Sequence, residues 1–159
     1  MNDIYAVLQS LDIPYEKFEH PAVYTVEEAA QHDRAFGAGT CKNLFLRNKK
    51  GDTHYLVVAE STRKIDLKHL GDLLGSSKLS FASPERLMEY LSLTPGSVSP
   101  FGLINNLDKK VQVIIDEGLL RHEKLSFHPN VNTATLAIQT DDFKKFLEWT
   151  GNPVRYTKL

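Results

Sequence analysis

Few side chains in this sequence have the types and spacing that enzymes use for covalent or metal chemistry. The single cysteine, Cys41, cannot build a thiolate metal site, and a lone cysteine is more often a small buried apolar group than a nucleophile. No G-x-S-x-G motif marks an activated serine, and the glycines at positions 37 and 39 form neither a Walker loop nor a dinucleotide fingerprint. The histidines show no paired ligand spacing; they are His20, His32, His54, His69, His122 and His128. The sequence therefore predicts no metal site, no cofactor and no self-sufficient catalytic group.

A loop rich in proline and glycine is the strongest candidate for ligand binding. It reads Leu93-Thr94-Pro95-Gly96-Ser97-Val98-Ser99-Pro100-Phe101-Gly102. Proline fixes φ and lacks an N–H donor, glycine permits geometries that a Cβ forbids, and small residues let another molecule approach the main chain. Such a loop suits binding through backbone N–H groups, although the same composition fits an ordinary surface connection.

Two further residues, Lys42 and His128, stand out only in combination with this loop, because each alone fits a solvent-exposed side chain. In chain order the sequence contains Cys41-Lys42-Asn43-Leu44-Phe45-Leu46, then Gly96-Ser97-Val98-Ser99-Pro100, then His128-Pro129-Asn130. This pattern resembles the YbaK/prolyl-tRNA synthetase-associated editing domain family, over nearly the whole chain. Asn43 and the His-Pro pair make it most similar to the freestanding alanyl-tRNA(Pro) deacylase branch, also called PrdX or ProXp-ala.

The resemblance implies a hydrolase that cleaves the ester joining a wrong amino acid to tRNA(Pro). An aminoacyl ester is already activated, so positioned water and a stabilised oxyanion suffice, with the vicinal ribose hydroxyl of the terminal adenosine assisting. The implied catalytic residues are Lys42, Gly96 and His128. The implied substrate-binding residues are Asn43, Ser97, Val98, Ser99 and Pro100.

Each of these groups has an expected role within such a site. Backbone N–H groups of residues 96–99 are expected to stabilise the oxyanion. Lys42 is expected to hold the terminal phosphate or ribose, Asn43 to bond the ribose or the α-amino group, and His128 to shape the amino-acid pocket or orient water. Other branches of the family prefer cysteine or serine on tRNA, and a domain of this fold could bind a charged tRNA end without hydrolysing it. These alternatives remain open.

The implied partner is the acceptor end of mischarged tRNA(Pro), with neither DNA nor a membrane as a target and an association with prolyl-tRNA synthetase left open. Lys+Arg 19 against Asp+Glu 20 gives a net charge of -1, so long-range attraction to tRNA is weak and the contact must be local. Basic residues that could supply it are Lys42, Arg47, Lys49, Lys50, Arg63 and Lys64. Those at the hairpin tip equally fit a solvated edge that blocks aggregation.

Hydrophobic periodicity and capping signals place these candidates on interleaved strands and helices. Helices are predicted at residues 4–11, 25–32, 65–74, 84–91 and 140–150, the last capped by Thr140-Asp141-Asp142 and ended by Gly151. Strands are predicted at residues 15–19, 42–47, 54–59, 79–82, 111–116 and 133–138. The second and third strands should form a hairpin through a polar turn that contains Gly51.

Irregular interleaving with at least one hairpin predicts a mixed α/β (α+β) fold with an antiparallel or mixed sheet. The resemblance implies a mixed, barrel-like sheet surrounded by helices. With 159 residues, 42% of them hydrophobic, the chain is expected to form a single domain over residues 1–159. One cysteine excludes an internal disulfide, and no leader or apolar run of about 18 residues marks a signal peptide or membrane span. The sequence therefore predicts a cytosolic protein.

Overall fold

The computed structural model describes residues 3–19 and 41–159. The strands in these ranges are β1 (Glu16–Glu19), β2 (Cys41–Arg47), β3 (His54–Glu60), β4 (Ser80–Phe81), β5 (Gln112–Asp116), β6 (Lys124–Phe127), β7 (Ala134–Gln139) and β8 (Val154–Thr157). The α-helices are α1 (Ile4–Ser10), α2 (Leu67–Leu74), α3 (Pro84–Leu91) and α4 (Thr140–Thr150). Short 3₁₀ helices span Pro100–Asn105 and Glu117–Arg121. The helix predicted at residues 25–32 lies outside the described residues.

The described strands form two sheets that meet along β2. One sheet has five strands in the order β4-β2-β3-β5-β8, and the other has three in the order β1-β7-β6. In the larger sheet β2 pairs antiparallel with β3 and β4, whereas β5 runs parallel to β3 and β8. The smaller sheet is antiparallel throughout, and its β6 also contacts β2. The predicted mixed α/β class is confirmed, although the strands that the structure describes do not close into one barrel.

Apolar clusters cover both faces of the larger sheet. The main core includes Phe45, Val58 and Ile115 from this sheet, whereas Leu46 and Val57 belong to a smaller cluster on the opposite face. Both faces of β3 are consequently buried along its whole length. A continuous apolar run is typical of a strand that is covered on both sides.

The main core also anchors the first 3₁₀ helix, which follows the loop rich in proline and glycine. Phe101 is fully buried and packs edge to face against Phe127 and Phe146, with ring centroids 5.6 and 5.3 Å apart. Burying a side chain of this size stabilises the fold by about 1.5–3 kcal/mol. The carboxyl end of the loop is therefore tied firmly to the core.

Local signals account for most helix boundaries. Ser83 Oγ accepts a hydrogen bond from the Arg86 N–H and Pro84 is the first helical residue of α3, while Gly75 ends α2 in a left-handed conformation with φ 65°. The predicted cap of α4 was wrong. Its N-cap is Gln139, which makes no side-chain cap bond, and the Thr140 hydroxyl instead donates to the His122 carbonyl at 2.5 Å.

Strands β6 and β8 escaped prediction. Each has four residues. Their pairing partners, β7 and β5, supply the hydrogen bonds that define them. In the described ranges no helix combines the length and apolarity needed to cross a bilayer.

Candidate functional site

Lys42 is the second residue of β2 and lies opposite Ala59 of β3. Its side chain is half-buried, and its ammonium group donates a hydrogen bond to the backbone carbonyl of Arg63, in the turn after β3. A lysine ammonium has three donors, so this bond leaves capacity for a phosphate or hydroxyl. Lys42 is therefore held by the main chain rather than extending freely into solvent.

Asn43 follows Lys42 in the chain but lies on the opposite face of β2, because successive side chains of a strand alternate. It lies opposite Val58, on the face from which Phe45 packs into the main core. Among the described residues, Asn43 Oδ1 is buried without a hydrogen-bond partner. A buried acceptor without a donor costs about 1–3 kcal/mol, so this oxygen is suited to accept a hydrogen bond from a ligand.

The loop around Gly96 connects α3 to the first 3₁₀ helix and has a tight, self-bonded turn. The Ser97 N–H bonds back to the carbonyls of Thr94 and Pro95 at 3.0 and 2.9 Å. Gly96 has φ +87°, within the left-handed region that favours glycine. A residue with a Cβ would be strained in this conformation, so the turn requires glycine at position 96.

Side chains at the end of the loop are directed into the protein. Ser97, Ser99 and Pro100 are buried, and Val98 packs against the main core. Ser99 Oγ accepts a hydrogen bond from the Phe101 N–H at 3.1 Å, and the backbone carbonyl of Ser99 accepts one from the Gly102 N–H at 3.0 Å. In the described part of the chain, the N–H groups of Gly96, Val98 and Ser99 bond to no acceptor. The main chain, rather than these side chains, is what the loop offers to a ligand.

The segment after β6 carries His128 and Asn130. His128 Nδ1 lies 3.0 Å from the Ala134 carbonyl, and since a carbonyl only accepts, Nδ1 carries the proton in this contact. Asn130 has φ +65°, and its Nδ2 donates to the Phe101 carbonyl at 3.4 Å. Among the described residues, Asn130 Oδ1 is a second buried acceptor without a partner.

The fold brings the glycine loop and the histidine segment together. A Cβ built on Gly96 would lie 3.7 Å from Asn132 Nδ2, and Asn130 bonds to the residue after Pro100. The strand that carries Asn43 also contacts β6, which ends just before His128. The Lys42 ammonium is placed separately, on the Arg63 carbonyl. Asn130, Asn132 and Arg63 are neighbours that sequence reasoning did not assign to the site. The left-handed preference of asparagine after Pro129 is the one signal that could have indicated Asn130.

His54 lies at the other end of the hairpin and has a structural role. Burial lowers its pKa, and the positive charges of Arg86 and Arg47 lower this pKa further. Arg86 Nη1 lies 3.1 Å from His54 Nε2, and because a guanidinium only donates, this nitrogen accepts and the imidazole is neutral. The ring packs against both Phe45 and Tyr90, with centroid distances of 5.5 and 4.1 Å.

Two other features do not coincide with the candidate site. A groove of about 540 Å³ lies beside α2 and contains none of the predicted site residues; it is lined by Leu67, Lys68, Gly71, Asp72, Ser76, Ser77, Lys78 and Leu79. Among the described residues, no group of three or more His, Cys, Asp or Glu side chains is arranged to hold a metal ion.

Known proteins resemble this chain over nearly its full length. The prolyl-tRNA editing protein ProX of Acetoanaerobium sticklandii is 45% identical over 156 residues, which cover 98% of this chain and 95% of that protein. Prolyl-tRNA synthetase associated domain-containing protein 1 of Mus musculus is 37% identical over 149 residues, covering 91% and 88%. The solved structure of a candidate trans-editing enzyme for prolyl tRNA synthetase matches with a TM-score of 0.72 at 26% identity, covering 98% and 94%.

The sequence profile of the aminoacyl-tRNA editing domain matches residues 20–146, a range that includes Lys42, Gly96 and His128. This match and the prolyl-tRNA editing relative confirm the predicted family and the predicted editing hydrolase. The chain belongs to the aminoacyl-tRNA editing domain family.

Proposed function

We propose that this protein hydrolyses the ester of mischarged tRNA(Pro), with alanyl-tRNA(Pro) as the preferred substrate. One observation carries the proposal: the loop N–H groups of Gly96, Val98 and Ser99 have no acceptor in the described structure and lie beside the segment of His128 and Asn130. An N–H group that is fixed in advance and unpaired is the kind of donor that stabilises a developing oxyanion. A relative that is 45% identical is named a prolyl-tRNA editing protein, and this name supports tRNA(Pro) as the tRNA of the substrate.

In the proposed reaction, water attacks the ester carbonyl carbon and the bond from that carbon to the ribose oxygen breaks. The loop donors bind the carbonyl oxygen as its charge develops. The leaving ribose oxygen takes a proton, and the amino acid departs with a carboxyl group. Because the ester is already activated, positioning and electrostatic stabilisation suffice without a protein nucleophile.

The remaining groups bind the two ends of the substrate. The unpaired oxygens of Asn43 and Asn130 are suited to accept hydrogen bonds from the α-ammonium group or the ribose. Lys42 binds the terminal phosphate or ribose from the face of β2 opposite to Asn43. His128, whose Nδ1 is bonded to the Ala134 carbonyl, shapes the amino-acid pocket or orients water.

A deacylation assay with alanyl-, cysteinyl- and seryl-tRNA(Pro) tests the proposal, with correctly charged prolyl-tRNA(Pro) as the control. Rapid release of alanine with an intact prolyl ester is expected. Faster loss of cysteine or serine would assign the protein to a different specificity within the family. Binding of charged tRNA without ester loss would identify a binding module instead.

The tRNA acceptor end is the partner that this proposal requires. A cytoplasmic location, where tRNA is charged, is part of the same proposal. Association with prolyl-tRNA synthetase is testable by co-purification of the two proteins, with and without tRNA(Pro), because a tRNA bridge would disappear after nuclease treatment.

A further inference from the structure

The turn after β3 presents the carbonyl group that holds Lys42. The Arg63 N–H bonds to the Glu60 carbonyl at 3.0 Å, and the Arg63 carbonyl in turn accepts the hydrogen bond from the Lys42 ammonium. The position of the ammonium therefore depends on where this turn holds the backbone of Arg63.

The Arg63 side chain fastens the turn to the larger sheet. Its Nε lies 2.7 Å from Oδ2 of Asp116, the last residue of β5, and its Nη1 donates to the Leu159 carbonyl at 2.6 Å. Its Nη2 lies 3.8 Å from Glu60 Oε2. A guanidinium presents its donors in a rigid plane, so fixed acceptors on several sides leave it one orientation.

Asp116 bonds through its carboxylate to both ends of the turn, at Glu60 and at Arg63. Its side chain is 0% exposed, and besides Arg63 its Oδ2 accepts from the Glu60 N–H at 3.4 Å. Its other oxygen accepts from the Gly118 N–H at 3.1 Å. A buried carboxylate must be paired and hydrogen-bonded, so these contacts define its position closely.

We propose that Arg63 and Asp116 are positioning residues that hold the Lys42 ammonium ready for the terminal phosphate or ribose of the substrate. This inference rests on the role proposed above for Lys42. A lysine side chain has many rotamers and loses that freedom when it binds a ligand. A displacement of about 1 Å at a reacting site can cost roughly 10²-fold in rate. Holding the ammonium before the substrate arrives avoids both losses.

Two other roles would use the same contacts differently. The pair of Arg63 and Asp116 could only stabilise the end of the sheet, or the Arg63 guanidinium could itself bind a tRNA phosphate. Neither role makes the effect of Arg63 on turnover depend on Lys42. That dependence distinguishes positioning from both.

The first comparison uses Arg63→Met with Arg86→Met as its matched control. Arg86 is also half-buried and donates to a carbonyl in a turn, that of Gly51 at 3.0 Å, but at the other end of the hairpin. At a temperature well below each unfolding midpoint, kcat/KM for alanyl-tRNA(Pro) should fall about tenfold in Arg63→Met and change less than about twofold in Arg86→Met. Arg63→Lys, which keeps a positive charge beside Asp116, should recover part of the loss. Equal losses at both arginines would indicate a purely structural role.

A double-mutant cycle then tests whether Arg63 acts through Lys42. In a Lys42→Ala background, Arg63→Met should cause no further loss of kcat/KM, because the group it positions is gone. The same fractional loss in both backgrounds would overturn the proposal and favour direct phosphate binding or general stabilisation.

A spectroscopic readout separates this inference from the proposed function. The ¹⁵Nζ signal of Lys42, assigned by its absence in Lys42→Ala, should shift or broaden in Arg63→Met and not in Arg86→Met. An unchanged signal in Arg63→Met would refute the positioning role. If Lys42→Ala were fully active, the proposed role of Lys42 would fail, and the spectra would still decide whether Arg63 holds the ammonium.

Discussion

Lys42 and Asn43 show how neighbouring residues of one strand can offer different chemistry to one substrate. Alternation puts the ammonium and the amide on opposite faces of β2. The ammonium donates to the backbone carbonyl of Arg63, whereas the amide oxygen is buried on the core side without a donor among the described residues. In the proposed function, Lys42 and Asn43 therefore contact different parts of the substrate.

Replacing Lys42 with alanine should reduce deacylation far more than stability. We expect kcat/KM for alanyl-tRNA(Pro) to fall by about 10²-fold, because the acceptor end is no longer held in place. The free energy of unfolding should fall by about 1 kcal/mol for the lost hydrogen bond to Arg63. Steady-state kinetics and chemical denaturation measure the two effects, with Lys144→Ala, an exposed lysine of α4, as the control. Normal turnover in Lys42→Ala would return this residue to the class of surface charges.

Substitution of Gly96 tests whether the substrate approaches the loop backbone. Of the residues that the structure describes, Asn132 alone lies within 4 Å of a Cβ built there, so alanine meets no close contact from them but must adopt φ +87°. We expect Gly96→Ala to cost about 1–2 kcal/mol of stability and Gly96→Val more, because a β-branched residue resists that conformation further. Both should lower kcat, with valine the more severe, as the side chain occupies the path of the ester. Stability loss with unchanged kinetics would show that the loop serves the fold alone.

At the scale of elements, the glycine loop is clamped at both ends. Asn105 and Asn106, at the end of the first 3₁₀ helix, donate to the Leu91 and Tyr90 carbonyls of α3 at 3.1 and 3.2 Å. The last carbonyls of a helix lack partners within the helix, so these amides satisfy them and bring the two helices together. The loop between the helices is thereby held with its N–H groups in fixed positions.

The hairpin of β2 and β3 should make stability depend on pH through His54. Burial and the adjacent arginines lower the pKa of His54 below its ordinary value of 6.5, so the neutral form is favoured in the folded state. The stabilisation is present above the unfolded pKa and is lost as the pH falls through the folded pKa. The denaturation midpoint should therefore drop between about pH 7 and pH 5 more steeply for the wild type than for His54→Gln, which does not titrate. Parallel curves for the two proteins would contradict this.

At the scale of the whole molecule, the candidate site draws on described segments that are distant in sequence: β2, the loop after α3 and the segment after β6. Cys41, the single cysteine of the sequence and the residue before Lys42, is half-buried and packs against the main core. The proposed reaction relies on how the fold positions the ester and the tRNA's own ribose.

A substrate ending in 2′-deoxyadenosine tests this view of the chemistry. If the vicinal hydroxyl assists proton transfer, deoxy alanyl-tRNA(Pro) should bind with similar affinity but be hydrolysed about 10²–10⁴-fold more slowly. Cys41→Ala should change turnover little, because only packing is affected. Single-turnover rates and binding constants separate the two effects. A normal rate with the deoxy substrate, together with an inactive Cys41→Ala protein, would point to a thiolate mechanism.

The sequence alone determined the features that depend on nearby residues. Ser83 and Pro84 specify the start of α3, and the turn residues join β2 to β3. These choices are local because capping and turn geometry involve atoms a few residues apart. The order of the lysine, glycine and histidine motifs also identified the family, since motif order is a property of the chain itself.

Only the tertiary structure decided which groups meet. Strand β6 exists because β7 pairs with it. The Lys42 ammonium lies on the Arg63 carbonyl because β2 pairs with β3 and because Asp116 of β5 bonds to the turn after β3. The unpaired oxygens of Asn43 and Asn130 likewise became visible only once their surroundings were packed. Contacts between residues far apart in sequence depend on strand register and side-chain direction, and a single sequence does not reveal either before the sheets are assembled.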